Sequence, residues 1–358
     1  MRLAIVADDL TGALDASAPF AVHGLRVVVA TNPSGTAAAI ASGADVVCVN
    51  TASREISAEV AVAAVAAASR QLAAAAPEIA FKKVDSRLKG HVAVEVKAMM
   101  AAFGRRHAAV APAIPTQGRL VANGHVVGSG LSTPLSIASV MGDTISYEAP
   151  DTADADDLAA VARAATNEVL LVGASGLGAS LAGLLASGSG SVAAPIAGPL
   201  LVAVGSRDPI TLAQVEHAVA GSAFAHIVSR DGSFGTILGG PVLVQALMPR
   251  TVPDFGAAMT RFGASVADLL RGGSFSTVLL TGGETAQSVL QQLGIECLDV
   301  LGEVLPGIPM TRAVLGDRTL TILTKSGGFG TPQDILRLAR IVDGAMPITE
   351  HAFAGEHR

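Results

Sequence analysis

The chain alternates short, continuously apolar runs with longer alanine-rich stretches. Apolar, β-branched runs at Leu3–Ala7, Arg26–Ala30, Val46–Asn50, Ile79–Lys83, Ala108–Ala111 and Val169–Val172 predict strands buried on both faces. Between them, Ala13–His23, Ser57–Ala75 and Val92–Phe103 predict helices. Alternation of this kind, without the polar-in-every-second-position pattern of a half-buried sheet, predicts an α/β fold built on mainly parallel sheets. After residue 200 the scheme resumes, with strands expected at Leu200–Val204, Val242–Val244, Thr277–Leu280 and Thr319–Leu323. The Gly-, Ser- and Pro-rich stretch "ASGSGSVAAPIAGP" at 186–199 predicts a connection, and the tail from Pro347 on is expected to be poorly anchored. No repeat is visible.

At 358 residues the chain suits two α/β domains, expected at 1–195 and 200–346. Half of the residues are hydrophobic, but many of these are alanine, and no run is long and charge-free enough to span a membrane. The sequence starts directly on a strand, with no basic n-region or cleavage site, so no signal peptide is expected. A net charge of −6, 3% aromatic residues and no tryptophan argue against a nucleic-acid surface. Cys48 and Cys297 both lie in apolar runs and make neither a disulfide framework nor a metal-ligand spacing. Together these features predict a reduced, cytoplasmic protein.

In open parallel sheets ligands bind at the carboxyl ends of strands, and three strand exits in the first half carry charge. The first is "ADDLTG", where Asp8 and Asp9 follow a buried strand. One of them can cap the helix that starts near Thr11. Two adjacent carboxylates disfavour each other's ionisation, so the pair also calls for a cation, a substrate hydroxyl or a basic partner. The second exit, "NTASRE", presents Arg54; the third, "KKVDSRLKGH", offers Lys83, Asp85, Ser86, Arg87 and Lys89. Cations converging beside carboxylates suit a small anionic ligand that carries hydroxyls. A fourth segment, "APAIPTQGRLVANGHVVG", leads past Arg119 into a hairpin tipped by Asn-Gly. Arg119 there faces the same site or serves the loop.

Three strand exits in the second half are of another kind: "VGSRDPITLAQ", "TVLLTGGETAQ" and "LTKSGGFGTPQ". Glycines without a Cβ let backbone N–H groups approach phosphate oxygens, and a helix N-terminus adds its dipole. Three such loops together point to a nucleotide site. Glu284 would repel phosphates, so it suits ribose hydroxyls or Mg²⁺. Lys325 suits phosphate neutralisation or a structural role at its strand end. A P-loop, a dinucleotide fingerprint, a nucleophile elbow and zinc-like histidine pairs are all absent from the sequence.

The ordered set "ADDLTGALD", "TASR", "KKVDSRLKG", "PAIPTQGR", "GASGLG", "VGSRDPITLAQ", "TGGETA", "PGIP" and "KSGGFG" resembles the four-carbon acid sugar kinase family, from about residue 3 to 340. The resemblance implies an N-terminal sugar-acid domain and a C-terminal nucleotide domain with a substrate cleft between them. It also implies ATP-dependent phosphorylation of a terminal hydroxyl on threonate, erythronate or an oxo-tetronate. Carried over by position, the substrate residues fall on Asp9, Arg54, Lys83, Val84, Asp85 and Ser86. The nucleotide residues fall on Ser206, Gly282, Gly283, Glu284, Thr285 and Gly327. In this picture Arg54 and Lys83 hold the carboxylate, and Asp9, with Asp8 as second choice, orients or deprotonates the attacking hydroxyl. ATP and Mg²⁺ are the implied cofactors, the metal ligands are not legible, closure of the domains on substrate is expected, and a homodimer stays open. The family pattern Asp-Ser-Thr-Leu-Arg-Gly reads Asp-Ser-Arg-Leu-Lys-Gly here, and the stretch after Gly128 also departs. Two other readings stay open: a sugar-acid-binding protein without phosphoryl transfer, and an oxidoreductase.

Overall fold

The computed structural model describes residues 1–186, 188, 196, 198–235, 237, 239–248 and 255–346. Most of the expected 186–199 connection and all of the tail from Pro347 lie outside the described residues. The chain divides into two compact units, Met1–Gly190 with Glu296–Val300, and Ser191–Ile295 with Leu301–Arg358.

The first unit runs β1 (Leu3–Ala7), α1 (Leu10–Val22), β2 (Val27–Ala30), α2 (Thr36–Ala41), β3 (Val46–Asn50), α3 (Ala58–Ala74), β4 (Ile79–Lys83), α4 (Val92–Phe103) and β5 (His107–Ala111). An excursion follows through β6 (Arg119–Ala122), β7 (His125–Gly128), β8 (Leu135–Ser136), α5 (Ile137–Met141) and β9 (Tyr147–Glu148). Then come α6 (Ala155–Arg163), β10 (Val169–Gly173) and α7 (Ser175–Leu185). The strands lie in the order β2-β3-β1-β4-β10-β5-β9, all parallel. Every residue of β1 and β3 is buried, which is why neither shows alternation in the sequence. Register decides where the site forms: Ala7 pairs with Asn50 on one side and with Lys83 on the other. The three charged exits that follow these strands therefore emerge side by side.

The helices cover this sheet with small side chains. In α3 the buried positions are Ala61, Val65, Ala68, Ser69 and Leu72, spaced as one helical face. The hairpin expected from Asn-Gly is present: Ala122 pairs with His125, and Asn123 and Gly124 both have positive φ, as a type I′ turn requires.

The second unit runs β11 (Leu200–Val204), α8 (Pro209–Ala220), β12 (Ala225–Ser229), β13 (Val242–Ala246), α9 (Phe255–Arg271), β14 (Thr277–Thr281) and α10 (Gly283–Leu293). After it come β15 (Cys297–Leu305), β16 (Ile308–Leu315), β17 (Arg318–Lys325) and α11 (Asp334–Val342). Strands β12-β13-β11-β14-β17 are parallel in that order, and β16 joins β17 antiparallel. The β15–β16 hairpin breaks the expected strand–helix alternation. Its buried residues alternate with exposed or half-buried ones along β15, as in a sheet with one wet face. Residues 297–300 of β15 pair antiparallel with β2. Glu296–Val300 therefore belong to the first unit, although sequence order places them within the expected C-terminal domain.

Adjacent Lys82 and Lys83 end β4, and strand alternation sends them to opposite faces. Lys82 is fully buried and paired with Glu95 of α4 at 2.8 Å. Removing one partner strands the other charge in a dry interior. Glu95→Ala is expected to lower the unfolding free energy of the protein by about 3–5 kcal/mol, measured by urea denaturation; a loss within the range of a surface substitution would mean that water reaches Lys82.

Candidate functional site

Asp8 and Asp9 leave β1 in different roles. Asp9 is the N-cap of α1: Oδ1 accepts from the Gly12 N–H at 3.2 Å, and Oδ2 accepts from the Thr11 hydroxyl at 2.8 Å. A Cβ on Gly12 would land on the Asp9 carboxylate and 2.8 Å from Lys83 Nζ, so the Leu-Thr-Gly sequence is what lets these groups approach the helix backbone. Asp8 is gripped by Arg54, whose Nε donates to Oδ2 at 2.8 Å and Nη2 to Oδ1 at 2.9 Å. The same Nη2 reaches Asp9 Oδ1 at 2.7 Å, and Nη1 lies 3.8 Å from Asp85 Oδ2. The basic partner that the acidic pair calls for is thus Arg54.

A tight turn brings Arg54 there. Asn50 Oδ1 accepts from the Ala52 N–H, Ala52 takes a left-handed φ of 48°, and the N–H groups of Ser53 and Arg54 bond back to the Asp8 carbonyl. Asp8 occupies the Nε–Nη2 edge of Arg54, the residue expected to hold a substrate carboxylate, and Nη1 is left facing Asp85.

From the β4 exit, Lys83 is buried and donates to the Val84 carbonyl at 2.9 Å. The Val84 side chain lies in the core, so of the expected substrate residues it offers no side chain to a ligand. Asp85 Oδ1 caps the following turn by accepting from the Arg87 N–H. Ser86 Oγ, also buried, accepts from Arg119 Nη1 at 2.5 Å. The structure thereby brings Asp8, Asp9, Arg54, Lys83, Asp85 and Ser86 to one sheet edge and adds Arg119, which the sequence left between site and loop.

Burial pushes the Asp8 carboxyl up, but the Arg54 hydrogen bonds and the charges of Lys82, Arg54 and Lys83 outweigh it and hold it below its ordinary value. Burial would lower Arg54, yet Asp8, Asp9 and Asp85 raise it. Cys48, buried in β3, is pushed up to about 12, mainly by desolvation, and so stays a neutral thiol. Asp8 is only 4% exposed at its side chain and Asp9 21%. Asp9 is the carboxylate a ligand can touch.

In the second unit the loops after β11 and β14 enclose a cavity of about 250 Å³. Gly205, Ser206, Gly282, Gly283, Glu284 and Thr285 line it, together with Arg207, Phe255 and Met259. The first N–H groups of α10 open there, after Gly282 at φ 92°. Gly327 packs so closely on Ser206 that a Cβ would overlap its hydroxyl, which places all the expected nucleotide residues together. Phe255 and Met259 carried no signal in the sequence; one turn of α9 presents both, and Arg207 stacks over the Phe255 ring at 4.5 Å. Lys325 takes the structural alternative. Buried, its Nζ donates to Thr211 Oγ1 and to the carbonyls of Ser326, Gly327 and Phe329, so its charge shapes the 326–329 loop from beneath.

A carboxyl with a depressed folded-state pKa stabilises above its ordinary value of 3.8 and loses that contribution as pH falls through the folded value. Asp8→Asn is therefore expected to be less stable than wild type at pH 7, with the gap narrowing in urea titrations taken below pH 4. A gap that stays constant to pH 2 would contradict the Asp8–Arg54 assignment.

Residues 3–143 match the family model of a sugar-binding N-terminal domain, and residues 244–335 that of a nucleotide-binding C-terminal domain. The cavity extends beyond the second match, because Gly205, Ser206 and Arg207 precede it. A 3-oxo-tetronate kinase of Brucella melitensis is 25% identical, covering 92% of this chain and 93% of its own. A D-threonate kinase of Salmonella typhimurium is 26% identical over 92% and 96%, and one of Cupriavidus necator 28% over 92% and 95%. A solved Haemophilus influenzae protein shares the fold at a TM-score of 0.71 and 20% identity, covering 94% of this chain and 99% of that one. A Salmonella typhimurium structure does so at 0.71 and 21%, covering 95% and 99%. Two domain models in the right order, over a chain whose charged exits and glycine exits sort into two separate units, give one conclusion: the chain belongs to the four-carbon acid sugar kinase family.

Proposed function

We propose that the protein is an ATP-dependent kinase that phosphorylates the terminal hydroxyl of a four-carbon sugar acid such as D-threonate, D-erythronate or a 3-oxo-tetronate. The first unit takes the acid and the second takes ATP. The observation that carries this reading is Asp9. It is the accessible member of the acidic pair, and three donors (Thr11, Gly12 and Arg54) leave one lone pair on Oδ2 unfilled. That lone pair is the acceptor for the proton of the attacking hydroxyl. Arg54, fixed by Asp8, holds Asp9 in place, and Lys83 sets a positive charge beside it.

Phosphoryl transfer asks for positioning and charge neutralisation more than for covalent chemistry. The free N–H groups at the start of α10 and the Ser206 and Thr285 hydroxyls suit phosphate oxygens, while Arg207 and Phe255 supply a flat, partly apolar wall. No cluster of three or more metal-ligating side chains exists among the described residues. Mg²⁺ does not need one, since it enters such sites with phosphate and water ligands and takes one or two carboxylates from the protein. Glu284 in the cavity fits that demand or that of ribose hydroxyls. Bound there, Mg²⁺ would offset phosphate charge.

ADP release measured over four-carbon acids with Mg²⁺ present tests the reading. Asp9→Asn keeps the helix cap but is expected to lower turnover by about 10²–10⁴-fold, with ATP affinity changed less than about twofold; wild-type rates would move the base elsewhere. Glu284→Ala is expected to raise the KM for ATP more than that for the acid, and the opposite pattern would reverse the assignment of the two units.

A further inference from the structure

Three cationic side chains approach the acid site in the first unit, and they differ in what their N–H groups already hold. Arg54 is spent. Nε and Nη2 lie on Asp8, Nη2 also serves Asp9, and Nη1 faces Asp85. A carboxylate arriving at its Nη1 edge would meet the charge of Asp85, 3.8 Å from that nitrogen. Lys83 Nζ is buried and tied to the Val84 carbonyl.

Arg119 is different. Its Nε and Nη2 share the Ser129 carbonyl at 3.0 and 2.9 Å, and its Nη1 donates to Ser86 Oγ at 2.5 Å. All of these acceptors are neutral. Of five N–H groups, two remain, one on each terminal nitrogen, enough for the two oxygens of a carboxylate. No carboxylate forms an ion pair with Arg119 among the described residues. Partial burial, with Arg87 close by, pulls its pKa below the ordinary guanidinium value, and Asp85 only partly opposes this. A guanidinium left short of negative charge and set beside a second one is a site that an anion relieves.

Its place is also fixed. Ser129 anchors one edge through the tight β6–β7 hairpin, where a side chain at Gly128 would collide with the Gly118 carbonyl. Ser86, which accepts from Arg119, still has its own O–H to donate. Ser86 follows directly on Asp85, which faces Arg54. Asp9, Arg54, Asp85, Ser86 and Arg119 are thus linked in one chain of contacts.

We propose that Arg119, with the Ser86 hydroxyl, receives the carboxylate of the sugar acid, while Arg54 holds the aspartates. This inference rests on the sugar-acid reading of the site, and it places the acid group at the Arg119 end of that chain of contacts, away from the Asp9 end. The residue then discriminates acids from neutral polyols.

Calorimetric titration of D-threonate and D-erythronate, and of the amide of whichever binds tighter, into wild type, Arg119→Gln and Arg119→Lys tests this. Wild type is expected to prefer acid over amide by on the order of 30-fold or more, the worth of a charge-assisted bidentate contact. In Arg119→Gln the acid is expected to weaken to the level of the amide, with amide affinity unchanged. Arg119→Lys, which keeps the charge and loses the fork, is expected to fall between. Equal weakening of acid and amide would show a merely structural role and overturn the proposal, as would loss of acid preference in Arg54→Gln with its retention in Arg119→Gln. Acid binding without ADP release leaves the subsite standing and removes the kinase reading; turnover with an unaltered Arg119→Gln removes the subsite alone; no binding of either acid to wild type removes both.

Discussion

The grip of Arg54 on Asp8 organises the first unit's site. One planar guanidinium closes on a buried carboxylate, reaches the neighbouring Asp9 and faces Asp85, so a single group ties together the loops that leave three adjacent parallel strands. The arrangement resolves an electrostatic conflict. Two adjacent carboxylates at the end of a dry strand would otherwise repel each other and resist ionisation. With Arg54 between them, and Lys82 and Lys83 behind, the buried one stays ionised and the exposed one is held at a set angle on the cap of α1. Arg54, expected from the sequence as a substrate residue, is also the keystone of the acid pair.

The second unit solves a related problem with different means. Its cavity needs donors for a highly charged ligand without a wall of lysines. The backbone supplies them at the start of α10, and small residues at 205, 282, 283 and 327 keep the space open. The one lysine at a strand exit, Lys325, sits beneath its loop and spends its hydrogen bonds on carbonyls of that loop. Positive charge shapes the site from below, and α8 adds Thr211 and Gln214 to the same purpose, bonding to the carbonyls of Gly327, Phe329 and Thr331.

Much of this was legible before any coordinates. Largely apolar runs gave β1, β3, β4 and β11 their bounds as observed, because a strand buried on both faces contrasts with the polar loops that flank it. Asn-Gly announced the β6–β7 turn, and Asp208-Pro209 announced the start of α8, where Asp208 accepts from the Ile210 N–H. The β15–β16 hairpin stayed hidden, since its alternating pattern is interrupted by Gly302 and differs from the buried runs around it. Phe255 and Met259 stayed hidden too: as apolar residues on a helix, they look the same whether they line a ligand cavity or the core.

The sequence by itself determined the fold class, the strand exits that carry chemistry, the division into a charged half and a glycine-rich half, and the residue types on offer. These follow from local periodicity and from what backbone and side chains can do within a few residues. Only the tertiary structure decided which cation meets which anion. The register that aligns Ala7 with Asn50 and Lys83 places Arg54 on Asp8 and leaves Arg119 on neutral oxygens. Whether a guanidinium is occupied or available depends on distances between residues far apart in the chain, and spacing along the chain does not encode those distances.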